Sequence, residues 1–124
     1  MRKRPILVID DEFHVTRALA FLLEENHFGC IAQNSAENLH EILEKNMPKV
    51  VVLDINMPKM DGFEVCQSIR ADNKYDDVVI IILSGRSQKE DMDKAFQSGA
   101  NEYFVKPFSP LALRDKILSI YGEA

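Results

Sequence analysis

Short runs of apolar residues alternate along this chain with segments whose apolar positions recur every three or four residues. The runs are Ile6-Leu7-Val8-Ile9, Val50-Val51-Val52-Leu53, Val79-Ile80-Ile81-Ile82-Leu83 and Tyr103-Phe104-Val105, with Cys30-Ile31-Ala32 as a weaker fifth. Runs without polar alternation predict parallel strands buried on both faces. Between them, Val15, Ala18, Leu19, Leu22 and Leu23 follow the stripe of an amphipathic helix. Ser35 is placed to cap a second helix carrying Leu39, Ile42 and Leu43, which ends before Pro48. The turn chemistry of Met57-Pro58-Lys59-Met60-Asp61-Gly62 leads into a third, with Val65, Cys66 and Ile69 inward. Residues 70 to 77 read as a polar connection. Residues 88 to 98 read as a fourth helix, with Met92, Ala95 and Phe96 apolar and Gly99 at its stop. Ser109-Pro110 opens a fifth helix carrying Leu113, Ile117, Leu118 and Tyr121. Five strands alternating with five helices predict one α/β domain over residues 1–124, built on a doubly wound sheet.

Composition narrows the function classes. The chain of 124 residues is long enough for one core, and its net charge of −5 argues against direct nucleic-acid binding, which needs a positive surface. The cluster Arg2-Lys3-Arg4 is too short to change that, and the apolar run after it is too short for a signal peptide. No stretch has the length to span a bilayer, so the expectation is a cytoplasmic protein without membrane contact. Cys30 and Cys66 have no zinc-like spacing and read as small core residues. His14, His27 and His40 form no ligand pattern either, and His27 and His40 read as surface residues.

The chemistry lies where the runs stop. They end at Asp10-Asp11, Asp54, Ser84 and Lys106-Pro107, and ligands of open parallel sheets bind outside the carboxyl ends of the strands. Two carboxylates about 5 Å apart repel by roughly 3 kcal/mol at an effective dielectric near 20. A hard divalent cation such as Mg²⁺ removes that penalty and can clamp a phosphoryl oxygen. Asp54 can serve as a nucleophile toward phosphorus, with the Ser84 hydroxyl and the Lys106 ammonium neutralising the transferred group. Taken singly, each residue has a plainer reading. Asp10 and Asp11 can begin a helix, Ser84 can cap one, Lys106 can be a solvated lysine and Tyr103 a packed strand aromatic. Lys106-Pro107 is a candidate for a cis peptide bond, which is uncommon even before proline.

The ordered set Asp10-Asp11, Asp54-Ile55-Asn56-Met57-Pro58-Lys59-Met60-Asp61-Gly62, Ser84-Gly85, Tyr103 and Lys106-Pro107 resembles the receiver domain of two-component response regulators, including the single-domain chemotaxis type. The likeness covers essentially the whole chain. It implies a flavodoxin-like fold with strand order 2-1-3-4-5. It also implies a phosphoacceptor switch rather than an enzyme acting on outside substrates. In that family pattern Asp54 takes a phosphoryl group from a histidine kinase, a phosphotransfer protein or a small donor such as acetyl phosphate. Asp10, Asp11, Asp54 and the carbonyl of Asn56 form the Mg²⁺ site. Ser84, Gly85 and Lys106 bind phosphoryl oxygens, and Ser84 with Tyr103 forms the switch. Asn56 and Arg86 tune the lifetime of the phosphoryl group. The implied output face covers residues 86–121, for a partner, an output domain or a phosphorylation-driven homodimer.

Ser84 stands where threonine is also frequent in that family, and either residue supplies the hydroxyl. Three other readings compete. A haloacid-dehalogenase-type phosphatase needs a general acid two positions after its nucleophile, where this chain has the amide of Asn56. A flavodoxin-like electron carrier needs a phosphate-cradling loop where this chain has Asp10-Asp11. A pseudo-receiver would have lost one of the chemical positions, all of which are filled here.

Overall fold

A computed structural model of the chain describes residues 3–58 and 60–122. Arg2 of the basic cluster and Lys59 of the turn lie outside the described residues. Five parallel strands form one sheet: β1 (Ile6–Ile9), β2 (Cys30–Gln33), β3 (Val50–Asp54), β4 (Val79–Ser84) and β5 (Glu102–Val105), in the order β2-β1-β3-β4-β5. Five helices follow them in turn: α1 (Phe13–Glu25), α2 (Leu39–Asn46), α3 (Gly62–Arg70), α4 (Lys89–Gln97) and α5 (Pro110–Ile120).

Successive strand residues face opposite sides of a sheet, and here both sides are covered. Ile6, Val8, Val50, Val52, Ile81 and Leu83 pack with Leu19 and Leu23 of α1 and Leu113 and Ile117 of α5. Leu7, Ile9, Val51, Leu53, Ile80 and Ile82 pack with α2, α3 and α4 through Leu43, Cys66, Ile69 and Ala95. The continuous apolar runs are the consequence. None of the three central strands has a solvent side to occupy with polar residues. Among the described residues, no helix is long and apolar enough to cross a membrane.

The structure refines the helix expectations at several points. On α1 the buried positions are Thr16, Leu19 and Leu23, while Ala18 is exposed and Val15 and Leu22 are half-buried. Thr16 tolerates burial because its hydroxyl donates to the Phe13 carbonyl at 3.1 Å and accepts from Asn34. Ser35 does not cap α2. Its Oγ accepts the Glu37 N–H at 3.3 Å, closing a turn, and the helix begins after Asn38 at φ 58°. Asparagine is one of the few residues that enters the left-handed region readily. Within the connection at 70–77, a single 3-10 turn at Asn73–Tyr75 buries Tyr75. Phe96 of α4 points outward, and α5 stops at Ile120, leaving Tyr121 as its C-cap. Gly99 has φ 110°, as a helix stop in the left-handed region requires.

Candidate functional site

Strand register brings the polar run-ends together. Ile9 pairs with Leu53, Asp54 with Leu83 and Ser84 with Val105, so Asp10, Asp54, Ser84 and Lys106 emerge at one edge. The backbone pairing extends one residue further, with Ile55 N–H donating to Leu83 and Lys106 N–H to Ser84. Asp10 and Ser84 are fully buried and Asp54 is 2% exposed.

Asp10 is held at every polar atom. Its Oδ1 accepts the Glu12 N–H at 2.9 Å, its Oδ2 accepts from Lys106 Nζ at 2.9 Å, and its carbonyl accepts from Asn34 Nδ2 at 2.9 Å. Asp54 accepts the Asn56 N–H on Oδ1 at 2.9 Å, and its Oδ2 lies 3.5 Å from Lys106 Nζ. Burial pushes the Asp54 carboxyl up to about 6; the Asn56 N–H opposes that shift and the charge of Asp10 reinforces it. Carboxylate oxygens of Asp10, Asp11, Glu12 and Asp54 all lie within 4.8 Å of one another. An all-oxygen, carboxylate-rich set of this size suits a hard cation such as Mg²⁺, which keeps part of its water shell.

Lys106 spreads its ammonium over three carboxylates. Besides Asp10 and Asp54, it donates to Glu12 Oε1 at 3.0 Å. Partial burial alone would lower its pKa, but the hydrogen bonds to Asp10 and Glu12 and the charge of Asp54 hold it above the ordinary lysine range. The same hydrogen bond holds the Glu12 carboxyl below its usual value. The Lys106–Pro107 peptide bond is cis.

Ser84 Oγ accepts two hydrogen bonds, from Asn56 Nδ2 at 3.2 Å and from the Arg86 N–H at 3.0 Å. With both lone pairs engaged, the hydroxyl proton is left to donate. The Arg86 carbonyl accepts from the half-buried Tyr103 hydroxyl at 2.9 Å, and its guanidinium lies 3.7 Å from Asp91. Gly85 is exposed, and a Cβ there would meet no atom within 4 Å. A cleft of about 560 Å³ opens beside Asn56, lined by Met57, Pro58, Phe63, Arg86 and Lys94 among others. His27 and His40 are exposed. Cys66 is buried and Cys30 half-buried, and burial pushes their thiols up to about 11 and about 12.

Sequence reasoning missed two participants. Glu12 was legible as a third acid directly after Asp10-Asp11, but its reach to Lys106 is a tertiary fact. Asn34 carries no sequence signal. It anchors the carbonyl of Asp10 from the loop after β2.

The profile of the response regulator receiver domain family matches residues 6–118. A "Probable transcriptional regulator ycf27" of Porphyridium aerugineum is 41% identical over 120 residues, covering 97% of this chain and 49% of that protein. The chain thus spans about half the length of the curated relatives of that type. A "Chemotaxis protein CheY homolog" of Campylobacter jejuni is 33% identical, covering 94% of this chain and 92% of that one. Among solved structures, a response regulator signal receiver domain from Bermanella marisrubri superposes with a TM-score of 0.86 at 28% identity, covering 97% of this chain and 99% of that one. A Francisella receiver domain reaches 0.88 at 26% identity, covering 97% and 98%. Sequence profile, curated relatives and backbone agree over nearly the whole chain, and it belongs to the response regulator receiver domains of two-component signalling.

Proposed function

We propose that Asp54 is the phosphoacceptor through which this receiver domain carries its signalling role. One observation carries the reading. A buried carboxylate at the end of the central strand lies 3.5 Å from the Lys106 ammonium and within one 4.8 Å group of further carboxylates. A carboxylate oxygen of Asp54 attacks phosphorus as the bond to the donor's leaving group breaks. That group is imidazole for a phosphohistidine of a kinase or phosphotransfer protein, and acetate for acetyl phosphate. Mg²⁺, held by Asp10, Asp11, Asp54 and the Asn56 carbonyl, would supply positive charge for the phosphoryl oxygens. Lys106, the Ser84 hydroxyl and the Gly85 N–H provide the remaining donors. Attack of water on phosphorus later returns the Asp54 carboxylate and inorganic phosphate, at a rate tuned by Asn56 and Arg86.

The switch follows from the Ser84 hydrogen bonds. Moving Oγ onto a phosphoryl oxygen loosens its contact with the Arg86 N–H, and the Arg86 carbonyl is the partner of Tyr103. Phosphorylation shifts the conformational balance only by its unequal affinity for the two arrangements. The output face is residues 86–121, where Phe96 and Leu111 are exposed. It serves a partner protein, an output domain or a phosphorylation-driven homodimer. Relatives include both a longer transcriptional regulator and a chemotaxis protein of nearly this length. Residues 1–124 act as one receiver unit in the cytoplasm, without direct contact to nucleic acid or membrane.

The test is intact-protein mass after incubation with acetyl phosphate and Mg²⁺. One added phosphoryl group is expected, dependent on Mg²⁺, absent in Asp54→Asn and lost in alkali. An adduct that persists in Asp54→Asn would overturn the assignment.

A further inference from the structure

Glu12 stands at the N-cap of α1, a position where a short polar side chain ordinarily accepts a backbone N–H of the first turn. Here it makes no such side-chain bond. It reaches instead to Lys106, 94 residues further along the chain, at 3.0 Å.

The count of donors gives this contact a consequence. An ammonium has three N–H donors, and three carboxylates already face Lys106, at 2.9 Å for Asp10, 3.0 Å for Glu12 and 3.5 Å for Asp54. Two of its donors are hydrogen-bonded, to Asp10 and Glu12, so a phosphoryl oxygen on Asp54 competes with those two carboxylates for the ammonium, and the one held less firmly yields first. Asp10 is fully buried and pinned on its other oxygen by the Glu12 N–H. Asp54 is the group that receives the phosphoryl. The Glu12 side chain is 46% exposed, so it can leave for water at the least desolvation cost. His14 Nε2 stands 3.5 Å from its other oxygen and offers a second resting place.

We propose that Glu12 is a counter-ion that occupies Lys106 in the unphosphorylated domain and gives it up when the phosphoryl group arrives. Glu12 is therefore a positioning residue that restrains phosphorylation by acting through Lys106. This rests on the assignment of Asp54 as acceptor. The restraint has the size of an exposed ion pair, roughly twofold to fivefold in an equilibrium constant.

The experiment measures the dissociation constant of beryllofluoride, a phosphoryl mimic, at saturating Mg²⁺ in four proteins: unsubstituted, Glu12→Gln, Lys106→Met and the double variant. Glu12→Gln is expected to tighten binding about twofold to fivefold when Lys106 is present and to leave it unchanged in the Lys106→Met background. A tightening of equal size in both backgrounds, or weaker binding in Glu12→Gln, overturns the proposal. Mg²⁺ affinity is measured alongside by calorimetry. A loss of tenfold or more in Glu12→Gln would make Glu12 a metal ligand and also overturn it. A metal-free thermal cycle over the same four proteins keeps the idea testable if the mimic does not bind. Zero coupling between the two substitutions there rules out the pairing, whereas absence of mimic binding to the unsubstituted protein counts against Asp54 as acceptor.

Discussion

Asn56, two residues beyond β3, and Ser84, the last residue of the neighbouring β4, are joined by a hydrogen bond from Asn56 Nδ2 to Ser84 Oγ at 3.2 Å. The backbone of Asn56 meanwhile donates to Asp54 Oδ1. One residue therefore holds both the Asp54 carboxylate and the Ser84 hydroxyl. Removing Ser84 Oγ strips Asn56 Nδ2 and the Arg86 N–H of their acceptor together. Ser84→Ala is expected to cost about 1 kcal/mol of stability and to slow labelling of Asp54 by acetyl phosphate about tenfold or more. Ser84→Thr, which keeps the hydroxyl, should label at close to the parent rate. A mass time course on the three proteins checks both statements.

Asp54 makes stability depend on pH. Burial raises its carboxyl from 3.8 to about 6, so folding favours the protonated form. Ionised Asp54 then costs nothing at pH values below the unfolded value, and the cost grows through the window between the two values and is complete above it. Asp54→Asn is accordingly expected to stabilise the metal-free protein at pH 7 by up to about 3 kcal/mol. The gain should fade near pH 4, in about the range of an ordinary aspartate. Urea melts at both pH values decide the matter, and a gain that persists unchanged in acid would contradict it.

Metal binding should appear as stability. A ligand held only by the folded state at a hundredfold excess over its dissociation constant adds about 2.7 kcal/mol. Mg²⁺ is expected to raise the melting temperature of the unsubstituted chain and to have little effect on Asp11→Ala, whose carboxylate belongs to the four-acid group. Equal shifts in both proteins would remove Asp11 from the metal site.

Gly62 supports the site from beneath. A Cβ at this position would lie 2.3 Å from the Cα of Ile55, a backbone atom that cannot swing aside. Gly62→Ala is expected to destabilise the fold by about 2 kcal/mol or more. It should also disturb the loop from Ile55 to Asp61, which carries Asn56, so labelling of Asp54 falls with stability. Chemical denaturation combined with the labelling assay tests the pair.

Arg4 provides the contrast. At the opposite end of the strands its guanidinium donates to the carbonyls of Met47 and Pro48 and pairs with Asp77, while the Tyr121 hydroxyl donates to its carbonyl. Arg4→Ala should lose about 1 to 2 kcal/mol, while leaving the labelling rate at Asp54 unaltered. A change in that rate measured well below the melting temperature would contradict this separation.

Much of the architecture was legible because its signals are local. A parallel strand covered on both sides has no polar face, so Val50–Leu53 and Val79–Leu83 announce themselves as unbroken apolar runs. Helix boundaries were less legible. Ser35 closes its own turn with Glu37, and α2 starts only after Asn38, whose side chain makes no cap bond. The stripe on α1 shifted toward Thr16, whose hydroxyl donates to the local Phe13 carbonyl and accepts from Asn34, distant in sequence. No periodicity encodes that partner.

The chain by itself determined which chemical groups stand at the ends of the strands, since residue order along a strand is local information. It also carried the family likeness, which supplied the strand order. Tertiary structure alone decided which atoms meet. Lys106 reaches Asp10 and Glu12 across 96 and 94 residues, and those contacts depend on register between strands. Interstrand register and burial set how three carboxylates share one ammonium, and both come from packing two helical layers on the sheet rather than from any stretch of sequence.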